Sequence, residues 1–388
     1  MKLKKILCCI ITVALIFLCG CSSQNIYLDY REIDRLELIQ TIGFDYEDSQ
    51  ITATIASGIT RESPKPTILY ESADTATLAL KKLQNYTEPK YIFFSHMENI
   101  LIGKEAAEHS FGELMDFVQR TVDMRLDASL FILNEGKAKD TILNTTGDNA
   151  AINELLNSLK KDVTLLSQGH VFSFGDIASA LAYNGCAIVS AIEMVPKKEP
   201  LETGSDFTVA SSGYAIIKEG RLTGFIDEDC AKGVNLLTNQ MKTDFTELDD
   251  GKGGSISLKL TFESTDITPI YNGNSLECVD ISVKLHAQIE ELQNPIDIYD
   301  PSTLSFYEDQ LSQKEKSFIQ AAIDASQDMA ADFMQFEKIL HIKNPVKFEK
   351  IQSSWKDIFP TLNFNLSVSS TIDRTYDIGG HLHASERE

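Results

Sequence analysis

Positive charge is in short supply. The 388 residues carry 35 lysines and arginines against 57 aspartates and glutamates, a formal charge of −22. A nucleic-acid partner needs a basic footprint, so that class is excluded. Cysteine is also sparse: beyond residue 21 the chain has Cys186, Cys230 and Cys278. They are odd in number and far apart, with no C-x-x-C, so neither a zinc site nor a disulfide framework is implied. A single bridge among the three stays open, and three buried small side chains is the favoured reading. The fingerprints of common enzymes are missing too. There is no G-x-S-x-G, no Rossmann glycine pattern and no Walker spacing, and Gly251-Lys252-Gly253-Gly254 reads as a turn. The chain has no internal repeat and no low-complexity tract. Its one long apolar run, Ile6 to Gly20, has 15 residues, whereas a helix needs about 20 to cross a bilayer.

That run is the most informative segment present. Lys2, Lys4 and Lys5 precede it, and small residues close it, the pattern of a secretory signal peptide. The closing residues Leu18-Cys19-Gly20-Cys21 are similar to the lipobox of bacterial lipoproteins. The expectation is that residues 1–20 are removed and that the Cys21 thiol carries a diacylglyceryl group, with residues 21–28 as a tether. Each buried methylene contributes about 0.8 kcal/mol, so two acyl chains hold firmly where one holds reversibly. Losing three early lysines leaves 32 basic groups against 57 acidic ones, a charge of −25. Such a body is repelled by anionic lipid, so the acyl chains must do the holding.

At this length two or three domains are expected. Ile42–Asp45 and Gln50–Gly58 read as strands around a turn, and Asp74–Tyr86 as a helix. Tyr91–Phe94, Asn99–Ile102, Ala128–Leu133 and Cys186–Val195 read as strands. Glu105–Arg120, Ile152–Leu166 and Ser173–Ala182 read as helices. Strand and helix alternate, so residues 29–200 form an N-terminal α/β domain. Residues 201–388 are the C-terminal half, α+β and either one domain or two. Its hairpin turns at Lys218-Glu219-Gly220, with a helix over Asp227–Met241 and long strands over Ser255–Glu263 and Glu277–Glu290. Leu311, Phe318, Ala322, Met329, Phe333 and Phe336 recur at helical spacing, which predicts one helix over Ser302–Ile339; Ser312–Glu315 offers a capping box, with an earlier start as the alternative. A short helix over Lys347–Ile358 and a last strand over Leu362–Thr371 follow. The fold class is therefore α+β, or mixed α/β, multi-domain, with mixed sheets flanked by helices after a cleaved lipoprotein signal peptide.

Candidate chemistry is thin. His96 and Glu98 at i, i+2 on a strand would share a face as an acid–base pair; the apolar strands beside them favour a packed structural histidine. His381-x-His383 has no further ligand at a telling spacing, which favours a polar tail over a metal site. Asp227-Glu228-Asp229 lacks the glycine and distal glutamate of a calcium loop, so a solvated helix start is favoured. Trp355, among Ile351, Ile358 and Phe359, reads as a core or interface anchor. No catalytic residue, metal or cofactor is assigned.

Several separated blocks resemble the Ger(x)C family, the lipoprotein C subunits of spore germinant receptors. Asp29-Tyr30-Arg31-Glu32-Ile33 with Ile42-Gly43-Phe44-Asp45 is similar to the family's amino-terminal pattern. Phe93-Phe94-Ser95-His96 with Ile100 to Glu105 is similar to a second block, and Gly213–Ile216 with Leu222–Asp227 to the family hairpin. Phe333 to Pro360 and Asn363 to Thr371 resemble the closing helix pair and last strand. Two departures stand out: the spacer Ser22–Leu28 where the family often has Trp-Asp after the lipid cysteine, and Phe225 where tryptophan is common. The resemblance implies a non-enzymatic subunit that works with membrane A and B subunits in nutrient-triggered germination, on the outer face of the spore inner membrane. A lipid-anchored solute-binding protein is the alternative.

Overall fold

The computed structural model describes residues 35–59, 65–86, 90–147, 151–165, 169–198, 205–294 and 300–373. Its first half is built on a nine-stranded mixed sheet. The strands are β1 (Leu36–Glu47), β2 (Gln50–Ser57), β3 (Ile68–Ala73), β4 (Tyr91–Phe93), β5 (Asn99–Ile102), β6 (Ser129–Leu133), β7 (Cys186–Pro196), β8 (Phe207–Lys218) and β9 (Arg221–Ile226). They run in the order β3-β2-β1-β5-β6-β7-β8-β9, with β4 alongside the start of β1. β1, β5, β6 and β7 are parallel, and both flanks are antiparallel.

Parallel strands need helical crossovers and are covered on both faces. The helices are α1 (Ala76–Gln84), α2 (Lys104–His109), α3 (Phe111–Arg120), α4 (Ala138–Thr145), α5 (Ile152–Leu165) and α6 (Phe174–Asn184). Alternate residues of the central strands enter different cores. Ile100, Ile102, Leu130 and Ile132 pack with α1, α2, α3 and α6, while Leu101, Phe131 and Leu133 pack with α4 and α5. The expected single helix over Glu105–Arg120 is two, broken at Ser110.

The second half contains α7 (Glu228–Leu237), β10 (Thr243–Asp249), β11 (Ser255–Asn272), β12 (Ser275–Leu292), α8 (Pro301–Asp328), α9 (Phe336–Lys343), α10 (Pro345–Phe348), α11 (Trp355–Ile358) and β13 (Asn363–Asp373). The strands form a four-stranded sheet, β10-β11-β12-β13. On β12, Val279, Ile281, Val283, Leu285, Ala287 and Ile289 are buried while their neighbours face outward, the period-two pattern of a sheet wet on one side.

Two expectations for the long helix are corrected here. The helix over Ser302–Ile339 stops at Asp328, and Phe333 and Phe336 lie beyond it. Its N-cap is Asp300, which accepts from the Ser302 backbone N–H, so Ser312 lies in the helix interior. The hairpin β8–β9, which the division at residue 200 assigns to the second half, is hydrogen-bonded into the first sheet. Its other face shares a core with the second half: Tyr214, Ile216 and Ile226 join Leu236, Ile319, Phe336 and Trp355 in one continuous cluster.

The second half buries several carboxyl groups, and Glu315 is the most deeply buried of them. Glu315 of α8 is 1% exposed, and one of its carboxyl oxygens has no hydrogen-bond partner. Burial, with the like charge of Asp244, pushes it up to about 7. Asp244 itself is paired with Lys232 at 3.1 Å. A carboxyl group raised in the folded state contributes stability that is full below its unfolded value, near 4.5, and lost as pH rises through about 7. The loss is on the order of 3 kcal/mol. Glu315→Gln is therefore expected to match the parent in thermal melts near pH 5 and to gain on it increasingly toward about pH 8. A constant difference across that range would refute the assignment.

Candidate functional site at the junction of the two halves

The site is built from three connections. The first is the end of α6, where Asn184 precedes β7. Its side-chain amide donates to the Asp332 carbonyl at 2.9 Å, and its carbonyl oxygen accepts from the Cys186 backbone N–H at 3.0 Å and from Gln335 Nε2 at 2.9 Å. The second is the β8–β9 turn. Glu219 and Gly220 both have positive φ, 51° and 76°, which matches the tight turn favoured by strand twist. The turn presents Lys218 to the Met329 carbonyl at 3.3 Å and Glu219 to Lys356 at 2.8 Å.

The third is the segment between α8 and α9. Ala330 and Gln335 take left-handed φ values of 46° and 62°, uncommon for residues with a Cβ. The bends turn Asp332 inward, where it is 5% exposed. Its carboxylate accepts from the backbone N–H of Phe336 at 2.8 Å, the backbone N–H of Glu337 at 2.7 Å and Trp355 Nε1 at 3.1 Å. Burial outweighs these donors and holds the group up at about 6. Trp355 lies between Phe348 and Phe359, with ring centroids 5.4 and 5.6 Å away.

Between the three connections is a cleft of about 220 Å³, lined by Asn184, Cys186, Lys218, Glu337, Trp355 and Lys356 among others. Asn184, Lys218, Glu219, Asp332 and Lys356 are already engaged with one another or with the backbone. The cleft thus reads as a polar seam that fixes one half against the other. Its thiol is unreactive, since burial pushes Cys186 up to about 11 and a thiol that high is not the nucleophilic thiolate at neutral pH.

The residues singled out from sequence are dispersed. Cys21, His381 and His383 lie outside the described residues. His96 is exposed on a turn rather than packed between strands, with its ring 6.3 Å from that of Phe93. Glu98 instead accepts from Asn157 Nδ2 at 2.6 Å and Asn153 Nδ2 at 3.2 Å, so the two are not an acid–base pair. Asp227 is the N-cap of α7, as expected of a solvated helix start. Trp355 is buried, as expected of an anchor. All three described cysteines are free; Cys186 and Cys230 are buried, but Cys278 is half-exposed on β12, contrary to the reading of three buried side chains. Asn184, Asp332 and Gln335 had no motif to mark them; the one cue was a lone aspartate inside Met329-Ala330-Ala331-Asp332-Phe333-Met334.

A strand-edge carboxylate elsewhere bears on ligand chemistry. In open α/β sheets, ligands collect beyond the carboxyl ends of parallel strands. Here Asp45, at that end of β1, accepts from the Ala138 and Lys139 backbone N–H groups at 2.7 and 2.8 Å. The N-terminus of α4, which could receive an anion, is filled by the protein's own side chain.

Two family models match this architecture in order. The spore germination protein N-terminal domain matches residues 29–194, and the "Spore germination B3/ GerAC like, C-terminal" domain matches residues 212–376. The chain belongs to the Ger(x)C family. The Ger(x)C chain is 23% identical to the spore germination protein KC of Bacillus subtilis (strain 168) over 400 residues, covering 96% of each. Its fold matches a crystal structure of the GerBC protein with a TM-score of 0.58 at 17% identity, over 86% of this chain and 97% of that one. The family-model boundary falls between residues 194 and 212, within the segment where the first sheet continues from β7 into β8.

Proposed function

We propose that this Ger(x)C member is the lipid-anchored C subunit of a germinant receptor, held by a diacylglyceryl group on Cys21 at the outer face of the spore inner membrane. It acts there with membrane A and B subunits as a docking piece and carries no catalytic step. The observation that carries the reading is the pair of germination domains spanning residues 29–194 and 212–376, placed directly after a lipobox. No helix among the described residues is long and apolar enough to cross a membrane, so Cys21 is the attachment that the reading relies on. The division proposed from sequence, residues 29–200 and 201–388 behind a 1–20 signal and a 21–28 tether, is kept as an approximate one.

The solute-binding alternative would use the junction cleft. Its polar groups are already committed to internal partners, which favours the docking reading. Calorimetric binding of a nutrient to the isolated subunit would reverse that preference. For the main reading, Cys21→Ala is expected to abolish acyl labelling and to move the protein out of the salt-washed membrane fraction. Retention there with unchanged labelling would defeat it. Affinity capture of the parent chain is expected to bring down two integral-membrane proteins.

A further inference from the structure

The tripeptide Tyr-Asn-Gly occurs twice, as Tyr183-Asn184-Gly185 and as Tyr271-Asn272-Gly273. Asparagine before glycine is the pair most prone to lose the side-chain amide, because a residue without a Cβ lets its backbone nitrogen swing onto the preceding carboxamide. Identical neighbours give the two asparagines the same intrinsic reactivity. Any difference between them in the folded protein is structural.

Asn184 is held on every side. Its Nδ2 donates to the Asp332 carbonyl, and its Oδ1 accepts from the Cys186 backbone N–H and from Gln335 Nε2. The Gly185 N–H, which carries the attacking nitrogen, donates to the Leu181 carbonyl at 2.9 Å. Asp250-Gly251 could close the same ring and is held likewise. The Asp250 carboxylate accepts from the Lys252 and Gly254 N–H groups and from Asn294 Nδ2, while the Gly251 N–H donates to Asp249 Oδ1 at 2.7 Å.

Asn272 is the opposite case. It pairs with Ser275 at the end of the β11–β12 hairpin, and Gly273 and Asn274 form the loop between them. Gly273 has a φ of 62°, which suits glycine at the first central position of such a turn. All four residues are exposed. Neither the Asn272 side chain nor the Gly273 N–H has a hydrogen-bond partner among the described residues. A Cβ built on Gly273 would meet nothing within 4 Å, so the loop has room to rearrange. The rung it must loosen is the last before the turn, where a hairpin opens most readily.

We infer that Asn272 is a site of spontaneous deamidation, converted in the folded protein to aspartate and isoaspartate, while Asn184 is kept intact by its place in the junction. The Gly273 nitrogen bonds to Asn272 Cγ as the Cγ–Nδ2 bond breaks, and the Gly273 N–H proton leaves with the side-chain nitrogen as ammonia. Water then opens the resulting succinimide. Cleavage of the bond from nitrogen to Cγ gives aspartate. Cleavage of the bond from nitrogen to the main-chain carbonyl carbon gives isoaspartate, with the side-chain methylene drawn into the backbone. Either product adds a carboxylate between Tyr271, whose ring lies 4.9 Å from Lys347 Nζ, and Asn274, whose Oδ1 accepts from Lys350 Nζ at 3.0 Å. Two lysines thus already reach the tip that receives the new charge.

Each hydrogen bond given up on the way to reaction slows it by roughly fivefold. Three or more must go at Asn184, so a rate difference of about a hundredfold is expected between the sites. The test ages the folded full chain in neutral and in mildly alkaline buffer, beside the same chain unfolded in guanidinium. Rapid digestion at mildly acid pH and mass spectrometry follow, with fragment spectra that separate aspartate from isoaspartate. In the folded chain Asn272 is expected to lose its amide, faster at the higher pH, and Asn184 to keep it. In the unfolded chain the two are expected to react at similar rates. Loss at Asn272 only when unfolded would overturn the inference, showing that the turn protects it. Equal loss at both sites in the folded chain, or loss at neither in either state, would overturn it as well.

Discussion

Gly233→Val is expected to prevent the second half from folding, at a cost of about 4 kcal/mol or more, well above an ordinary substitution. Gly233 lies in the middle of α7, where α7 crosses α8. A Cβ at this position would come within 2.1 Å of the Phe318 carbonyl oxygen and 2.5 Å of its carbon. Both contacts are with backbone, so no rotamer can relieve them. The two helices would have to separate, and with them Val234 and Leu237 from Ile319 and Ile323, which share one core. Gly233→Ala places the same Cβ and is expected to lose nearly as much, although alanine favours a helix by about 1 kcal/mol over glycine. Urea denaturation of parent and variants, followed by far-ultraviolet circular dichroism, checks this. An unchanged midpoint for Gly233→Ala would show that the helices pack differently.

Nothing in the sequence marks that crossing. Gly233 sits in Ala231-Lys232-Gly233-Val234, and a glycine inside a helical pattern normally argues against the helix. Where periodicity and burial agree, the fold was legible. β12 alternates apolar and polar side chains along its length, and the strands at Asn99–Ile102 and Cys186–Val195 are short, mostly apolar runs. β10 shows the opposite case. Its buried positions are Asp244, Thr246 and Leu248, so burial has period two while hydrophobicity does not. Asp244 is inside because Lys232 meets it there, a tertiary pairing that no local pattern announces. α4 was missed for a related reason: its buried face is Ala138, Thr141, Ile142 and Thr145, too mixed for a stripe.

The junction was the least legible part. The helical spacing from Leu311 to Phe336 runs unbroken through residues 329–335, where neither proline nor glycine interrupts it. The chain nevertheless leaves the helix, because Ala330 and Gln335 adopt left-handed conformations that their side chains disfavour. Strain of this kind is held in place by surrounding contacts, and the contacts here come from Asn184 and Cys186, about 150 positions earlier in the chain. Family resemblance located the two halves; only the folded chain shows how they are locked together.

Asp332→Ala is the second large effect expected, and it tests that lock. The substitution leaves the N–H groups of Phe336 and Glu337 and the Trp355 indole without their acceptor. A buried donor without a partner costs about 1–3 kcal/mol, so a combined loss of about 4 kcal/mol is expected. Asp332→Asn retains one acceptor oxygen and should lose less. The pH dependence has a definite sign. The Asp332 carboxyl group is raised from 3.8 to about 6 in the folded state, so its stabilising contribution is full below the lower value and declines as pH rises through the higher one. The parent's margin over Asp332→Asn should therefore be widest in acid and narrow toward neutrality. Trp355, the sole tryptophan, reports the junction directly, while circular dichroism reports both halves. In the parent the two signals are expected to change together; in Asp332→Ala the fluorescence transition should come first. If the receptor needs its C subunit as a rigid docking piece, the same variant should be acylated and membrane-bound yet defective in germination. Coincident, unshifted transitions in Asp332→Ala would show that the halves are held by their shared apolar core alone, and that Asp332 is incidental to it.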